Sequence, residues 1–549
     1  MNDLADAIWR RLATNDKTML TVCGRREADE SQIFTGRDLH DASARWAAVF
    51  SEIFPVGSGP VVLAMPQGSE FTIALLGAVY AGLTVVPLAI PRNPTQRERF
   101  AAIVADCAAE GIICTASVRA AIDAALAESS GPRFGIMEVD DLPAMAPLAA
   151  ARSCAGGPAV IQYTSGTSRF PRGVKVGGAA ILANAAHCFA AWGFDERQVV
   201  VNWLPHFHDM GLLGGNIYPI LVGASSVQLD PFRVIQRPSR WLRAISDHGG
   251  TFSGGPAFAF AQCVQNIRDD ECEGLDLSRW SAAYCGAEPV PAALITAFRS
   301  RFARFGLQTR AVFACYGLAE YSLMAAGAHA LEAAIEPVPP PICAGVAPCR
   351  LTEAVARTIR IIDPAQGAVL RDGEVGEICL HGPSVAGGYV GQTAESEETF
   401  RHVIPGQDET WLRTGDIGVI SDRNLYVVGR LKDVLTVNGR KVAASEIEWL
   451  AAQMEPALNP MAAAAFMPDE MRSGEAALLI EMRAARTVLP DPDKVRQQIA
   501  QVVAGTFGIK LLDVELVDRG TLPRTSSGKI RRREAAALYR QGAANAACA

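Results

Sequence analysis

The sequence has no excess of positive charge and no closely spaced cysteine pair, and each absence excludes a class of protein. The net charge of −7 argues against broad nucleic-acid binding through a basic surface. The thirteen cysteines include no CxxC pair, which disfavours a disulfide framework or a zinc finger and favours a reducing, cytoplasmic location. With 49% hydrophobic and only 20% charged residues, the composition also excludes intrinsic disorder. At roughly 100–200 residues per domain, the length predicts about three or four domains or subdomains.

An uncharged run at 71–90 has the nominal length of a membrane-spanning helix. Gly82 divides it into a helix-like half and a half rich in β-branched residues, a pattern that favours a helix, a turn and a buried strand. The segment 1–12 carries acidic residues and lacks the apolar core of a signal peptide. We therefore expect no membrane span and no targeting segment.

Short apolar runs alternate with alanine-rich stretches in the first part of the chain, as at 61–66, 85–90 and 111–114. This alternation predicts an α/β fold in which parallel sheets are covered by helices. From about 345 to 429 the pattern changes to strands separated by turn residues. That change predicts a β-rich, barrel-like subdomain.

A second change of pattern follows the segment 430–433, after which a helix and further αβ alternation continue. The sequence thus predicts a large N-terminal domain at 1–429, made of two α/β subdomains and the β-rich one. It also predicts a small, mobile α+β C-terminal domain at 434–549. The segment 430–433 is the expected hinge between the two domains.

The segment 163–174 is the most informative one for chemistry. It follows an apolar strand pattern and is dense in glycine and hydroxyl side chains. Small residues allow backbone N–H groups to approach a polyphosphate, and hydroxyl groups add donors. The residues concerned are Thr164, Ser165, Gly166, Thr167 and Ser168. The Walker A pattern is absent, and composition alone leaves an ordinary polar turn as an equal alternative.

Five further motifs follow this segment along the chain. They are YCGAEP at 284–289, YGLAE at 316–320, WLRTGD at 411–416, GRLKD at 429–433 and PRTSSGK at 523–529. Together with 163–174 they resemble the adenylate-forming superfamily, which comprises acyl-CoA synthetases, nonribosomal adenylation domains, luciferases and fatty acyl-AMP ligases. Six motifs in that superfamily's order exclude coincidence.

The resemblance implies that a carboxylate attacks the α-phosphate of ATP and releases pyrophosphate. Because both reactants are anions, catalysis would depend on charge neutralisation and in-line positioning. By resemblance, the loop at 164–168 holds the β- and γ-phosphates and Glu320 holds Mg²⁺ against them. Lys529 is the essential cation between the carboxylate and the α-phosphate. Without the resemblance, Lys529 would be interpreted as a solvated residue of a basic tail.

The resemblance also implies where the nucleoside and the thiol would bind. The expected adenine site consists of Gly286, Ala287, Glu288, Tyr316 and Gly317. Asp416 would accept hydrogen bonds from the ribose hydroxyls, with Arg430 nearby. Lys432 would be the hinge residue, although it could be an ordinary exposed lysine. Gly439 would let a thiol-bearing arm pass the backbone, with a type I′ turn at 438–439 as the alternative.

The pair His206 and His208 suggests a metal site, but no further ligand follows at a suitable spacing. The stretch WLPHFHDMGLLGG instead resembles the WLPxxHDMGL stretch of fatty acyl-AMP ligases. By that resemblance, His208 is a gate or positioning residue on the carboxylate side, with a buried structural histidine as the alternative. Asp209 is expected to orient the loop or cap the following helix.

Three further features resemble the fatty acyl-AMP ligases, which transfer the acyl group to the phosphopantetheine thiol of a carrier protein. They are Arg169 in the loop, GPSVAGGY at 382–389 and SEETF at 396–400. Two features depart from that pattern: the short interval after Glu320 and the synthetase-like NGRKVAASEIE at 438–448. We therefore predict an acyl-AMP ligase serving a carrier protein, with an acyl-CoA synthetase as the alternative. The basic residues 531–533 would help to dock an acidic carrier.

The segment 251–264 resembles the usual wall of the acyl pocket. Phe252, Phe258 and Phe260 could line this pocket, or they could simply fill the core. The small residues Gly254 and Gly255 leave room that favours a tunnel. A medium or long fatty acid is the predicted substrate, with an aryl acid or a specialised natural-product acid as open alternatives.

Overall fold

The structure of the protein is a computed structural model. The structure describes residues 3–24, 29–55, 57–127, 135–154, 156–164, 171–329, 345–437, 440–468, 476–483, 489, 491–524 and 529–542. The first helices are α1 (Leu4–Leu12), α2 (Gly36–Ile53), α3 (Ser69–Tyr80), α4 (Pro94–Asp106), α5 (Ala116–Ala127) and α6 (Gly178–Trp192). The first strands are β1 (Thr18–Val22), β2 (Gln32–Thr35), β3 (Val61–Ala64), β4 (Val85–Pro87), β5 (Gly111–Cys114), β6 (Gly135–Glu138), β7 (Val160–Thr164) and β8 (Arg172–Val176).

The middle of the chain continues the α/β alternation. Its helices are α7 (Tyr218–Val222), α8 (Pro231–Gln236), α9 (Ser239–Asp247), α10 (Ala257–Asn266) and α11 (Ala292–Phe302), with a π-helix at Met210–Ile217. Its strands are β9 (Val199–Asn202), β10 (Ser225–Gln228), β11 (Phe252–Pro256), β12 (Ala282–Gly286), β13 (Val312–Ala314), β14 (Tyr316–Gly317) and β15 (Met324–Ala326).

The last part of the chain is richer in strands. The helices are α12 (Glu353–Arg357), α13 (Thr393–Phe400), α14 (Ala444–Ala452), α15 (Pro492–Phe507) and α16 (Arg532–Arg540). The strands before the predicted hinge are β16 (Cys349–Arg350), β17 (Ile359–Ile362), β18 (Gly376–Leu380), β19 (His402–Val403), β20 (Thr410–Ser421) and β21 (Asn424–Arg430). The strands after it are β22 (Val434–Val437), β23 (Arg440–Ala443), β24 (Leu458–Phe466), β25 (Ala476–Met482) and β26 (Leu511–Val517).

Two mainly parallel sheets form the first part of the molecule, as the sequence predicts. One has the strand order β6-β5-β3-β4-β7-β8 and the other has the order β13-β12-β11-β9-β10-β1-β2. Only the outermost pairs β7–β8 and β1–β2 are antiparallel. All residues of β3 and β5 are buried, because helices cover both faces of a parallel sheet.

The uncharged run at 71–90 folds as its pattern predicts. Helix α3 ends at Tyr80, Gly82 adopts a positive φ of 74°, and β4 follows as a buried strand. Gly82 is needed at this turn because a left-handed backbone strains a residue with a Cβ atom. None of the helices in the described part of the chain combines the length and apolar character that crossing a membrane requires.

An antiparallel sheet of order β16-β21-β20-β18-β17 follows, with β19 paired to β20. Strand β21 ends at Arg430, directly before a 3₁₀ turn at Leu431–Asp433. Beyond this turn, most buried apolar side chains belong to two clusters that contain no residue before Leu435. A separate core is what an independent small domain requires, and the boundary at 430–433 remains our prediction.

Candidate active site

A cavity of about 1330 Å³ lies between the large first part of the chain and the part beyond the turn at Leu431–Asp433. It brings together most of the residues that the motifs single out. Those that line it are Thr164, His208, Ala287, Glu288, Tyr316, Gly317, Glu320, Asp416, Arg430 and Lys529. Gly286 and Lys432 do not line the cavity wall. Ser165, Gly166, Thr167, Ser168, Arg169 and Gly439 lie outside the described residues.

Three of the expected adenine residues, Gly286, Ala287 and Glu288, lie at the carboxyl end of β12, where parallel sheets commonly bind ligands. Gly286 is buried, and a Cβ atom there would lie 2.7 Å from the carbonyl oxygen of Cys315. Its role is therefore to allow this close backbone approach. Ala287 has a positive φ of 69°, and the resulting turn brings Ala287 and Glu288 to the cavity wall. The amide of Phe258 donates to Glu288 at 3.1 Å, and burial raises the pKa of that carboxyl.

Both carboxylate oxygens of Asp416 are held by neighbours. The Tyr316 hydroxyl donates to Oδ2 at 2.8 Å, and Nε of Arg430 lies 3.0 Å from Oδ1. Asp416 and Arg430 are cross-strand partners in β20 and β21, so the sheet register places this ion pair at the cavity. Asp416 is buried, and its charge raises the pKa of Arg430. The pair therefore presents a fixed, charge-assisted acceptor to a ligand.

Glu320 is oriented by a tyrosine that the sequence analysis did not assign. The hydroxyl of Tyr389 donates to Oε1 of Glu320 at 3.0 Å. The Arg172 guanidinium lies 4.5 Å from the centre of the Tyr389 ring and pairs with Glu395. The amide of Tyr389 donates to the Ser396 hydroxyl at 2.9 Å. The motifs at 382–389 and 396–400, which indicated only a subfamily, thus pack together and position the Glu320 carboxylate.

Lys529 enters the cavity from the small C-terminal part of the chain. The next residue, Ile530, forms a β-bridge with Arg524, and the Arg524 guanidinium lies 3.3 Å from a carboxylate oxygen of Glu481. Burial, followed by repulsion from Arg430, lowers the pKa of Lys529. The nearby carboxylates that oppose this shift are those of Glu288, Asp209 and Asp416. In the enclosed site, burial and Arg430 thus disfavour the charged form of Lys529, and the three carboxylates favour it.

Arg532 connects the segment after Lys529 to the predicted hinge. The sequence analysis did not predict this connection. Its guanidinium binds both oxygens of Glu448, at 2.6 and 2.7 Å, and lies 2.8 Å from Oδ2 of Asp433. Arg531, directly before helix α16, pairs with Glu534 in the first turn of that helix. The expectation that 531–533 forms a free basic docking surface is therefore wrong for Arg532, which is engaged inside the protein.

The two histidines lie beside the cavity in enclosed positions. The His206 ring packs 3.9 Å from the Phe71 ring, and burial lowers the pKa of His206 to about 3. Burial, with smaller contributions from Lys529 and Arg99, lowers the pKa of His208 to about 4. Its Nε2 is buried and has no hydrogen-bond partner among the described residues. Both rings are therefore neutral at pH 7, so His208 cannot attract a carboxylate by charge.

Asp209 caps the π-helix Met210–Ile217, as predicted for a structural role, and its carboxylate accepts from the Met210 amide at 2.7 Å. Cβ atoms at Gly211 and Gly215 would lie 2.2 Å from the Pro205 oxygen and 2.0 Å from Nδ2 of Asn202. The glycines of the HDMGLLGG stretch are thus required by packing. In the described part of the chain, no three His, Cys, Asp or Glu side chains are placed to hold a metal ion.

The cavity also has apolar walls. Trp192, Phe252 and Tyr284 line one side, and the Trp192 and Tyr284 rings stack with centroids 5.8 Å apart. Phe258 lines the cavity too, whereas Phe260 is buried in the core away from it. Of the three phenylalanines that could line the acyl pocket or fill the core, Phe252 and Phe258 thus line this cavity and Phe260 fills the core. That this part of the cavity holds the acyl chain stays a prediction.

We compared the chain with known proteins. Residues 9–390 match the family model described as AMP-binding enzyme. A long-chain-fatty-acid–AMP ligase of Mycobacterium marinum is 34% identical, covering 91% of each chain. A structure from a study of fatty acyl-adenylate ligases of E. coli and L. pneumophila gives a TM-score of 0.83 at 28% identity, with 99% of both chains covered. A fatty acyl-adenylate ligase of L. pneumophila was solved with acyl adenylate and pyrophosphate. Its structure gives a TM-score of 0.71 at 26% identity, with 98% of this chain and 96% of that chain covered.

Proposed function

The chain belongs to the AMP-binding, adenylate-forming enzyme family, and we propose that it activates a fatty acid as acyl-AMP for transfer to a carrier protein. ATP is the co-substrate of the first step, and pyrophosphate is released. The relative from Mycobacterium marinum is a long-chain-fatty-acid–AMP ligase, and the fatty acyl-adenylate ligase of L. pneumophila was solved with acyl adenylate and pyrophosphate. These likenesses support a fatty acid as the substrate of this chain.

One observation carries the proposal: Lys529 shares a cavity with the nucleotide-type residues Tyr316, Glu320 and Asp416. We define the charged end of the cavity by one set of residues. It consists of Asp209, Glu288, Glu320, Asp416, Arg430 and Lys529. If Lys529 belonged to a solvated basic tail, it would lie in solvent, where a single charge contributes little to catalysis.

In the proposed first step, a carboxylate oxygen of the acid forms a bond to the α-phosphorus of ATP. The bond from that phosphorus to the oxygen bridging to the β-phosphate breaks, and pyrophosphate leaves with the electron pair. Lys529 offsets the negative charge shared by the two anions. Asp416 accepts from the ribose hydroxyls, and Tyr316 stacks against the purine. The adenine pocket includes Ala287 and Glu288, and the segment 164–168 binds the outer phosphates.

The charged end fits a Mg²⁺ ion that arrives with ATP. Mg²⁺ is commonly held by one or two protein carboxylates together with substrate phosphates. Glu320 provides a carboxylate whose orientation is set by the Tyr389 hydroxyl. When bound, the ion supplies positive charge to the phosphate oxygens. His208 would position the acid sterically, because its ring is neutral at pH 7.

In the proposed second step, the thiol sulfur of a phosphopantetheine arm bonds to the acyl carbon, and the bond from that carbon to the AMP oxygen breaks. AMP leaves with the electron pair and the thiol proton passes to water. We place the hinge for this step at Lys432, which is exposed in the turn Leu431–Asp433. Rotation there would withdraw Lys529 and present the segment around Gly439 to the thiol.

The first experiment tests acid activation. The protein is incubated with ATP, Mg²⁺ and a panel of fatty and aryl carboxylic acids, and the adenylates are identified by mass spectrometry. We expect fatty acyl-AMP and stoichiometric pyrophosphate. Pyrophosphate release that does not depend on any acid of the panel would contradict the proposal.

The second experiment tests the acceptor. Purified acyl-AMP is added to the protein with either a phosphopantetheine-loaded carrier protein or free CoA. We expect thioester on the carrier and little acyl-CoA. Faster thioester formation with free CoA would assign the chain to the alternative function, an acyl-CoA synthetase.

A further inference from the structure

Helix α14 lies where the small C-terminal part of the chain meets the large first part. Its residues Ser445, Glu448 and Trp449 are three or four positions apart, so their side chains share one face of the helix. All three line the cavity. We call these three residues the α14 face. Another side of the helix carries Ile447 and Ala451, which are buried in the core of the C-terminal part.

Two residues of the α14 face contact the elements that surround the predicted hinge. The Ser445 hydroxyl donates to the carbonyl oxygen of Val428 in β21 at 2.7 Å, just before the turn Leu431–Asp433. Glu448 binds the guanidinium of Arg532 at 2.6 and 2.7 Å, three residues after Lys529. The position of α14 is therefore coupled to the position of the lysine segment.

The third residue of the α14 face, Trp449, packs on the backbone of Gly345. A Cβ atom at Gly345 would lie 2.5 Å from Cζ3 of Trp449, so the edge of the indole ring touches the main chain directly. Gly345 also has a positive φ of 93°, which a residue with a Cβ atom rarely adopts. The absence of a side chain at Gly345 thus allows both the backbone conformation and the close approach of the ring.

The backbone around Gly345 is joined to the expected adenine site. The amide of Ala292 donates to the Gly345 oxygen at 2.7 Å, and the amide of Ala347 donates to the Val290 oxygen at 2.7 Å. Val290 is only two positions beyond the last of the adenine residues in the YCGAEP motif. Trp449 therefore rests on a strip of backbone that is hydrogen-bonded to the nucleotide side of the cavity.

The contact between Trp449 and Gly345 exists in only one arrangement of the two parts of the chain. Gly345 precedes the turn Leu431–Asp433 and Trp449 follows it, so a rotation at this turn separates the ring from the glycine. The same rotation would withdraw Lys529 from the charged end. An interaction that is made in one arrangement and lost in the other shifts the population toward the first.

We infer that Trp449 is a positioning residue for the adenylation step: its ring, seated on Gly345, holds the C-terminal part where Lys529 reaches the charged end. This inference rests on the proposed function and deepens it by naming a contact that favours the first half-reaction over the second. Trp449 acts through Lys529 and the elements between them, since the contact that carries the inference is made with protein backbone.

The experiment compares the two half-reactions in Trp449→Ala. Small misplacements of a catalytic group can cost up to about 10²-fold, so kcat for acid-dependent pyrophosphate release should fall by roughly 10–10²-fold. KM for ATP should change little, because Lys529 acts in the transition state. Transfer from added acyl-AMP to the carrier should be as fast as in the unmodified protein or faster. Trp449→Phe keeps a ring at this position and should retain most of the adenylation activity.

A double-mutant cycle tests whether Gly345 is the partner that matters. Gly345→Ala introduces a clash with the indole ring as well as backbone strain, so it should slow adenylation in the unmodified background. In the Trp449→Ala background the clash is gone, and the same substitution should cost clearly less. An equal cost of Gly345→Ala in both backgrounds would show that the ring and the glycine are not coupled, which contradicts the inference.

The matched control is Tyr539→Ala, because this aromatic residue does not line the cavity. Its ring lies 5.6 Å from that of Phe466, within the C-terminal part itself. This variant should lower the melting temperature without favouring either half-reaction. If Trp449→Ala slowed both half-reactions equally, as a general defect would, or slowed neither, the inference would be wrong. Absence of acyl-AMP formation by the unmodified protein would instead refute the proposed function.

Discussion

The charged end of the cavity and its α10 channel, the region lined by Phe258, Ala261, Gln262, Gln265 and Asn266 of helix α10, are built in different ways. At the charged end, partners come from distant parts of the chain: the Tyr316 hydroxyl reaches Asp416, which lies 100 residues away in sequence. The Tyr389 hydroxyl likewise reaches Glu320, which lies 69 residues away. The α10 channel is mostly one face of a single helix. The first depends on exact tertiary placement, and the second on local helical periodicity.

This difference predicts two kinds of response to mutation. Charge-assisted contacts are directional and strong in an enclosed site, so the loss of one partner has a large effect. Apolar contacts are individually weak and add up with the number of atoms. Changes at the charged end should therefore affect all substrates, whereas changes along the α10 channel should depend on chain length.

The largest effect is expected for Lys529→Ala. Removing a preorganised charge at the reacting centre should slow acid-dependent pyrophosphate release by about 10²–10³-fold for every acid. Thioester formation from added acyl-AMP should be retained, because the charge acts in the first step. The measurement is pyrophosphate release together with single-turnover transfer to the carrier.

The control for this variant is Lys510→Ala, an exposed lysine in the same C-terminal part of the chain that does not line the cavity. It should leave both steps unchanged. If Lys529→Ala slowed only long acids, the proposed division between the two regions would be wrong.

A smaller effect is expected for Asp433→Asn. This change weakens the contact with Arg532, which ties the segment after Lys529 to the predicted hinge. Small misplacements of a catalytic group can cost up to about 10²-fold, so we expect a loss of roughly 10–10²-fold in the adenylation kcat. Transfer from added acyl-AMP should be less affected, whereas a general structural defect would lower both steps and the melting temperature.

Asp493→Asn is the matched control for the contact made by Arg532. It breaks the exposed ion pair with Arg496 in the same part of the chain. Surface pairs contribute little to stability, so neither half-reaction should change. Equal effects of the two substitutions would show that the Arg532 contact has no specific role in catalysis.

The sequence predicts the charged end better than the α10 channel. Glu320, Asp416 and Lys529 lie in short motifs that resemble a known superfamily. The sequence does not show which of Phe258 and Phe260 lines the cavity. They are two residues apart on α10, and only the tertiary structure shows which one faces the cavity.

Long-range ion pairs are the contacts that sequence reasoning missed. Arg532 lies in a run of three arginines, a pattern typical of a solvated surface. Its partners Asp433 and Glu448 are 99 and 84 residues away. No local pattern predicts such pairing, because side-chain contacts across a fold depend on how separate elements pack. Tyr389 was missed for the same reason, although its motif was visible.

The pH dependence of adenylation should distinguish the free enzyme from the complex with ATP. Burial and Arg430 lower the pKa of Lys529 in the free protein, so its charged form is lost as the pH rises through that lowered value. The phosphate charges of bound ATP favour the charged form and should raise the pKa again. The alkaline limb of kcat/KM for ATP should therefore lie at lower pH than the limb of kcat.

Lys529→Arg is the control for this assignment, because a guanidinium stays charged over the whole accessible pH range. The variant should be slower but should lack the alkaline limb. Identical limbs for kcat and kcat/KM in the unmodified protein would mean that ATP does not alter the charge state of Lys529.

The smallest effect is expected for stability at acid pH, through the buried His206, which packs against Phe71. Burial lowers its pKa in the folded protein to about 3, whereas an unfolded histidine titrates near 6.5. Between these values the unfolded state binds the extra proton, so this contribution to stability is lost as the pH falls below 6.5. His206→Phe should reduce the acid slope of the unfolding free energy by at most about 1.4 kcal/mol per pH unit. Urea unfolding at pH 7 and pH 5 measures this slope, and His248→Phe at an exposed position is the control. An unchanged slope in His206→Phe would mean that the His206 ring is protonated in the folded protein.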